Sequence, residues 1–360
     1  MTDRVDGVEP MEIGSLQVPL PILCAPMAGG PSTPALVAAV GAAGGLGWLP
    51  AGYLTPDALE DLVADLEQRS DRPYGVNLFL SGPEPDEAAD RAVQAYIEEL
   101  GGEAARYGVA PGEPRFTDER VAEKLDVLAR HRPSIISFTF GDPGATIISR
   151  VHNELGVPVA VTVTSATEAG AAVASGADAV VVQGIEAGGH RGLWLDDPSE
   201  PDGGPRTTTA DLVRTVVGAV DVPVIAAGGI ADGATIGSLV ALGAVGAQLG
   251  TAFLCCDEAG TSVPHRRALQ EGLYADTVVT RAFSGRSARS LRNGFTERHP
   301  EAPARYPHVH HVTKPIRSAA TAAGEADDIN LWAGTSWRSV TAGPVAGLVA
   351  RLAAELTAGS

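Results

Sequence analysis

From Leu20 almost to Leu269 the chain repeats one pattern: a short apolar run, a Gly or polar turn, then a longer stretch with apolar positions at helical spacing. Uninterrupted apolar runs suit strands buried on both faces, and their alternation with helices predicts a parallel sheet with helical crossovers. The runs place eight strands at residues 22–25, 45–48, 75–79, 135–138, 159–163, 179–183, 224–226 and 247–250. Between them, residues 33–43, 56–68, 166–175 and 232–242 carry helix formers at helical spacing, several opened by a Ser, Thr or Asp able to cap the first turn. Two units echo each other: the stretches from VPVAVTVTSAT and from VPVIAAGGIADG both start a strand with Val-Pro-Val and set Gly-Ala before the next, as repeated βαβ units do.

Eight evenly spaced strands favour closure over an open doubly wound sheet, so the predicted class is α/β, a (β/α)8 TIM barrel. Residues 81–117, 192–208 and the tail after Leu269 break the rhythm. All three follow strand or barrel ends, which predicts insertions at the C-terminal face of the barrel and a C-terminal extension. The expected organisation is a single domain over 1–360, with the barrel at about 19–269 and a lid or helical extension at about 270–360.

Composition narrows the picture. An apolar fraction of 44% with 5% aromatics and 43 Gly describes an interior of Ala, Val and Leu. A formal net charge of −18 repels phosphate backbones and anionic membranes, so neither nucleic acid nor a membrane surface is an expected partner. Any anionic ligand then needs a local positive site. Cys24, Cys255 and Cys256 form an odd set without metal spacing, and no apolar stretch suits a signal or a membrane span. The expected location is the cytoplasm.

The most informative chemistry sits after the last two strands. AAGGIADG carries Gly228 and Gly229, with Asp232 as a helix cap, and QLGTAF carries Gln248, Leu249, Gly250 and Thr251. Barrels bind phosphate at these two loops, where glycine lets backbone N–H groups approach the oxygens and a helix N-terminus adds positive potential. The alternative is that the glycines only make tight turns; their joint position favours a phosphorylated cofactor. QGIEAGGHRG puts Gln183 at the rim of the sixth strand and His190 on a glycine-flanked loop, beside Gly188, above the barrel mouth. An imidazole there suits proton transfer or holding an anion. Asn77 closes the third strand, able to offer a carboxamide to a polar heterocycle, and Pro26 and Met27 close the first.

Other clusters read as structural. His308, His310 and His311 lack a recognised ligand spacing, so no metal is expected, and Arg286, Arg289 and Arg292 suit salt bridges or a cover over the pocket. Nucleophile-elbow, Walker and strand-turn-helix GxGxxG signatures do not occur.

The runs PILCAPMAGG, GLGWLPAGY, YGVNLFLSGP, ISFTFGDP, QGIEAGGHRG, IAAGGIADG and QLGTAF together resemble the nitronate monooxygenases, formerly 2-nitropropane dioxygenases, from about Pro19 to the C-terminus. The resemblance implies an FMN-dependent monooxygenase that oxidises alkyl nitronates, and in some cases nitroalkanes, with dioxygen to a carbonyl compound and nitrite. It further implies that Asn77, Gln183, Gly188, Gly229 and Gln248–Thr251 bind FMN, with backbone contact from Met27. His190 would be the catalytic histidine, abstracting an α-proton from a nitroalkane or holding a nitronate by the flavin. Expected partners are the anionic substrate and dioxygen, with a homodimer allowed. One departure stands out: some relatives carry a lysine on the fifth strand where this chain has Thr162. Two alternatives compete, an FMN-dependent enoyl-acyl carrier protein reductase and a barrel that binds a phosphorylated ligand without redox chemistry.

Overall fold

The computed structural model describes residues 8–82 and 87–358. Eight parallel strands close into a barrel: β1 (Ile22–Cys24), β2 (Leu46–Pro50), β3 (Tyr74–Phe79), β4 (Ile135–Thr139), β5 (Val159–Val163), β6 (Ala179–Gln183), β7 (Val224–Ala227) and β8 (Gly246–Leu249). Closure runs through β8 and β1, with Ala247 opposite Ile22. Each expected strand falls within two residues of these bounds, and the TIM-barrel expectation holds. The crossover helices start where the caps predict: Thr33, Thr55, Ser165 and Asp232 accept N–H bonds from Leu36, Ala58, Glu168 and Thr235.

Strand geometry turns alternate residues inward, and the barrel interior changes character along that alternation. Near the bottom the inward positions are small or apolar, including Ala160, Ala179 and Ile225. There they meet an antiparallel hairpin, Met11–Ile13 with Leu16–Val18, that closes the barrel from below. The sequence reading did not foresee this plug. Trp48 fills the space beside it, so tightly that a Cβ on Gly75 would stand 2.2 Å from the indole. Higher up, β3, β5, β6 and β8 present Asn77, Thr162, Gln183 and Gln248 to an open cavity. The polar layer therefore lies at the C-terminal strand ends, where catalytic sites of such barrels are built.

The tail both builds on that mouth and returns to the barrel. Strands Thr277–Thr280 and Ala288–Leu291 form an antiparallel sheet whose third member is the short Gly189–His190. Helix His308–Ala323 packs against helix Glu87–Glu99 of the first insertion. The final helix, Val345–Ala358, packs on Gly233–Ala241 and Pro34–Ala42, and one hydrophobic core accordingly runs from Leu20 to Leu356.

Candidate active site

A cavity of about 710 Å³ opens at the C-terminal ends of the strands, under the tail. Its floor is a chain of side-chain hydrogen bonds across three strands. Asn77 Nδ2 donates to Ser137 Oγ at 2.8 Å and to Thr139 Oγ1 at 2.9 Å, and Thr139 Oγ1 lies 3.1 Å from Thr162 Oγ1. These bonds occupy the donors of Asn77 and leave Oδ1 buried without a partner. An orphaned acceptor at the floor of a cavity fits a ligand N–H, such as that of a flavin ring. Gln183, expected to touch the cofactor, also braces the neighbouring loop: Nε2 donates to the His190 carbonyl at 3.1 Å and Oε1 accepts from Gly192 N–H at 2.7 Å.

The glycine-rich side of the cavity divides into positions the fold requires and one it does not. Gly228 and Gly229 adopt φ +114° and +70°, and a Cβ on Gly229 would sit 2.8 Å from Glu186 Cβ. Glu186 in turn caps helix Thr209–Val217, accepting from Thr209 N–H at 3.0 Å. A Cβ on Gly188 would meet the Gly334 nitrogen at 2.4 Å. Gly250 differs, because its φ is −105° and a Cβ there would meet only Ala25 Cβ at 3.6 Å and Met27 Sδ at 3.8 Å. Neither backbone nor packing requires glycine at 250, so its missing Cβ leaves room for a ligand.

Near Gly250, Thr251 Oγ1 accepts from Gly334 N–H at 2.9 Å, joining the tail to the rim. Leu249 points its side chain into the outer core and gives its carbonyl to Ala25 N–H at 2.9 Å. Met27 N–H donates to Ser32 Oγ at 2.9 Å, its carbonyl accepts from Ser32 N–H at 3.2 Å, and the residue lines the cavity. The helix after β7 already has carboxylates at its N-terminus, since Glu355 accepts from Gly233 N–H at 2.8 Å and Asp232 from Thr235 N–H at 2.7 Å. An anion here would rest on the glycine turns, without the help expected from that helix.

His190 is not on a free loop. It pairs with Ala288 of the tail sheet, and its Nε2 lies 2.8 Å from Ser284 Oγ. Phe140, Tyr306 and Trp332 surround the imidazole at centroid distances of 5.9, 5.9 and 5.3 Å. Burial, with help from Arg286 and then Arg317, pushes its pKa down to about 3, so the ring is neutral at neutral pH. Arg286, expected as structural, holds its guanidinium 4.0 Å above the Phe140 ring and donates to the Leu193 carbonyl. Phe140 has a strained φ of +81°.

Arg289 and Arg292 do play structural parts, donating to the Ile185 carbonyl and pairing with Asp276. His308, His310 and His311 open helix His308–Ala323, and among the described residues no group of three potential ligands is placed to hold a metal. His310, Lys314, Arg317 and Thr321 share one face of that helix and line the cavity. Arg317 bonds only neutral partners, with Thr313 Oγ1 at 3.0 Å and Asn330 Oδ1 at 2.8 Å. Two cations on this wall, in a chain of net charge −18, make the cavity mouth suited to a small anion. Sequence reasoning missed Tyr53, Ser284, Tyr306 and Trp332. Tyr53 lay inside GLGWLPAGY, Ser284 two residues before Arg286 and Tyr306 two before His308, each beside residues that drew notice for another reason.

The chain is similar to known proteins over nearly its whole length. The sequence pattern described as nitronate monooxygenase matches residues 13–355. A nitronate monooxygenase of Paraburkholderia phytofirmans is 40% identical over 95% of this chain and 93% of its own length. A probable nitronate monooxygenase of Staphylococcus saprophyticus is 37% identical over 91% and 92%. Among solved structures, the nitroalkane oxidase of Streptomyces ansochromogenes superposes with a TM-score of 0.91 at 47% identity, over 95% of this chain and 97% of that one. FabK of Thermotoga maritima is more distant, with a TM-score of 0.73 at 28% identity over 95% and 94%.

Proposed function

The chain belongs to the nitronate monooxygenase family, and from that premise we propose that it oxidises alkyl nitronates with dioxygen to a carbonyl compound and nitrite, using FMN. The protein is a flavin-dependent oxidoreductase; FMN as the particular flavin, and the residues that hold it, are our reading. Asn77, Gln248, Gly228, Gly229, Gly250 and Thr251 would hold FMN, framed by Met27, Gln183, Gly188 and Leu249. The orphaned Asn77 Oδ1 and the room at Gly250 support that fit. Bound FMN supplies the electron acceptor and the route to dioxygen. The whole chain, 1–360, is read as one FMN-binding domain.

The observation that carries the choice of substrate is the setting of His190, packed among Phe140, Tyr306 and Trp332 with Arg317 lining the same cavity, where burial first and then the guanidiniums of Arg286 and Arg317 push its pKa down. A base with its pKa near 3 is poorly matched to removing a proton from carbon at neutral pH. A nitronate has already lost that proton. It needs a neutral donor and nearby positive charge: His190 supplies the first through Nδ1–H when its Nε2 accepts from Ser284 Oγ, and the two guanidiniums supply the second in a water-poor pocket. His190 is therefore assigned to holding the nitronate, and a neutral nitroalkane would react mainly as far as it ionises.

The test is nitrite release from a preformed alkyl nitronate in aerated buffer, without nicotinamide, beside an anaerobic control. Oxygen-dependent nitrite is expected. A yellow protein that releases none, yet is bleached by NADPH and reoxidised by an enoyl thioester, would move the assignment to the reductase alternative. A colourless protein that does not take up FMN would point to the non-redox barrel. No helix among the described residues is long and apolar enough to cross a membrane.

A further inference from the structure

Tyr53 follows β2 with φ +66°, a left-handed conformation that is strained for a residue with a bulky side chain. A buried ion pair holds it there. Glu119 Oε2 accepts from Tyr53 N–H at 3.2 Å and from Lys124 Nζ at 2.9 Å, and Lys124 Nζ also donates to the Ala51 carbonyl at 2.9 Å. The pair thus grips the backbone on both sides of Gly52, with the Glu119 and Lys124 side chains only 3% and 1% exposed. Gly52 is pressed so closely to Phe79 that a Cβ would stand 2.3 Å from its ring.

Stability alone does not explain this construction. A buried ion pair commonly stabilises a fold no better than apolar residues of the same volume. Glycine or asparagine would adopt this φ with less strain. What the construction delivers is one phenol ring in one place. That ring lines the cavity and stacks on His310 at 4.1 Å with an interplanar angle of 2°. It stands 6.1 Å from Tyr306, which is itself 5.9 Å from His190. A line of rings therefore runs from His190 through Tyr306 to Tyr53, whose backbone is held by the Glu119 carboxylate and whose ring is held by a stacked imidazole.

We propose that Tyr53 is the specificity-determining wall of the nitronate site, limiting the length of the chain that the substrate carries, and that Glu119 and Lys124 are positioning residues acting through it. This rests on the reading of the cavity as a nitronate site. A longer substituent would have to displace a ring stacked on His310 and carried on a backbone held by the ion pair, so it is disfavoured. Without the ring, or without the pair that aims it, that restriction is lost.

The experiment compares preformed nitronates of 1-nitropropane and 1-nitrohexane in holoenzymes of wild type, Tyr53→Asn and the neutral double variant Glu119→Gln with Lys124→Met. Asparagine tolerates the backbone conformation, so Tyr53→Asn should fold and keep its flavin. In both variants the long-to-short ratio of kcat/KM is expected to rise about tenfold or more, mostly through a lower KM for the long substrate. Combining all three substitutions should add nothing further to the ratio, because the pair acts through the ring. A ratio within about twofold of wild type in Tyr53→Asn would overturn the proposal, as would a double variant that melts earlier with unchanged selectivity. A wild-type enzyme that releases nitrite from neither nitronate would instead sink the nitronate reading itself.

Discussion

Gly250→Ala separates the demands of the fold from those of the cofactor. The backbone at 250 has φ −105°, open to any residue, and the added methyl meets Ala25 Cβ at 3.6 Å and Met27 Sδ at 3.8 Å, both ordinary contacts. The apoprotein should therefore lose nothing, and restricting the unfolded chain should stabilise it by about 0.4–1 kcal/mol. Flavin binding should move the other way. A methyl pushed into a filled space costs on the order of 1–3 kcal/mol, a roughly 5–150-fold rise in Kd. Gly188→Ala is the contrasting case, because its Cβ would lie 2.4 Å from a backbone nitrogen and must disturb the fold directly. Thermal unfolding of the apoproteins and titration of FMN by fluorescence quenching measure the two effects. If Gly250→Ala binds FMN as tightly as wild type, the cofactor does not approach the backbone there and the assignment of this turn is wrong.

Three further predictions follow from the charges around His190 and its neighbours. His190→Ala should keep its flavin yet lose about 10–100-fold in kcat/KM for a preformed nitronate, the worth of one hydrogen bond to a charged group; unchanged turnover of both nitronate and nitroalkane would remove His190 from the mechanism. Arg286→Met should let the His190 pKa rise, since Arg286 is among the groups that depress it, so the acid limb of the pH profile should move upward relative to wild type; an unmoved limb would show that Arg286 does not act on the imidazole. His265 is buried with its pKa lowered to about 4, chiefly by burial, so its contribution is present above the ordinary value near 6.5 and lost as pH falls toward 4. The advantage of wild type over His265→Leu in denaturant unfolding should shrink by about 3 kcal/mol between pH 7 and pH 4, and an advantage independent of pH would contradict the buried neutral ring.

The barrel was legible because its strands are buried on both faces. The strand AVVVQ shows that as four apolar residues in a row, and caps such as Thr33 and Asp232 mark where the next helix begins. The plugging hairpin was not legible, since MEI and LQV are three residues each with one exposed position, too short to establish a period. Its burial comes from what it meets, namely Leu46, Trp48 and Ile135 at the barrel bottom. The polar layer above was partly legible. Asn77 within β3 and Gln183 at the end of β6 stand out as polar residues in apolar strands, but only the structure reveals that Asn77 keeps one unmatched oxygen while Gln183 braces the His190 loop.

The parts of the site that escaped sequence reasoning share a physical cause: they depend on the tail folding back over the mouth. Arg286, Arg289 and Arg292 are spaced three apart in one run, and nothing in their spacing distinguishes the arginine above Phe140 from those that bond a loop carbonyl or a surface aspartate. The distinction arises from the pairing of Ala288 with His190, which sets the tail strand against the His190 loop and brings Ser284 within reach of the imidazole. Phe140 and Tyr53, the two cavity-lining aromatics with positive φ, were hidden for a related reason. They are held by groups remote in sequence, the Phe140 ring by a guanidinium 146 residues on and the Tyr53 backbone N–H by a carboxylate 66 residues on. Local rules fail where a distant part of the chain imposes a conformation that the local sequence would not choose, and here those places line the cavity. The barrel thus supplies the floor and glycine turns suited to a flavin, while the insertions and tail supply the charge and aromatic walls that select what reacts there.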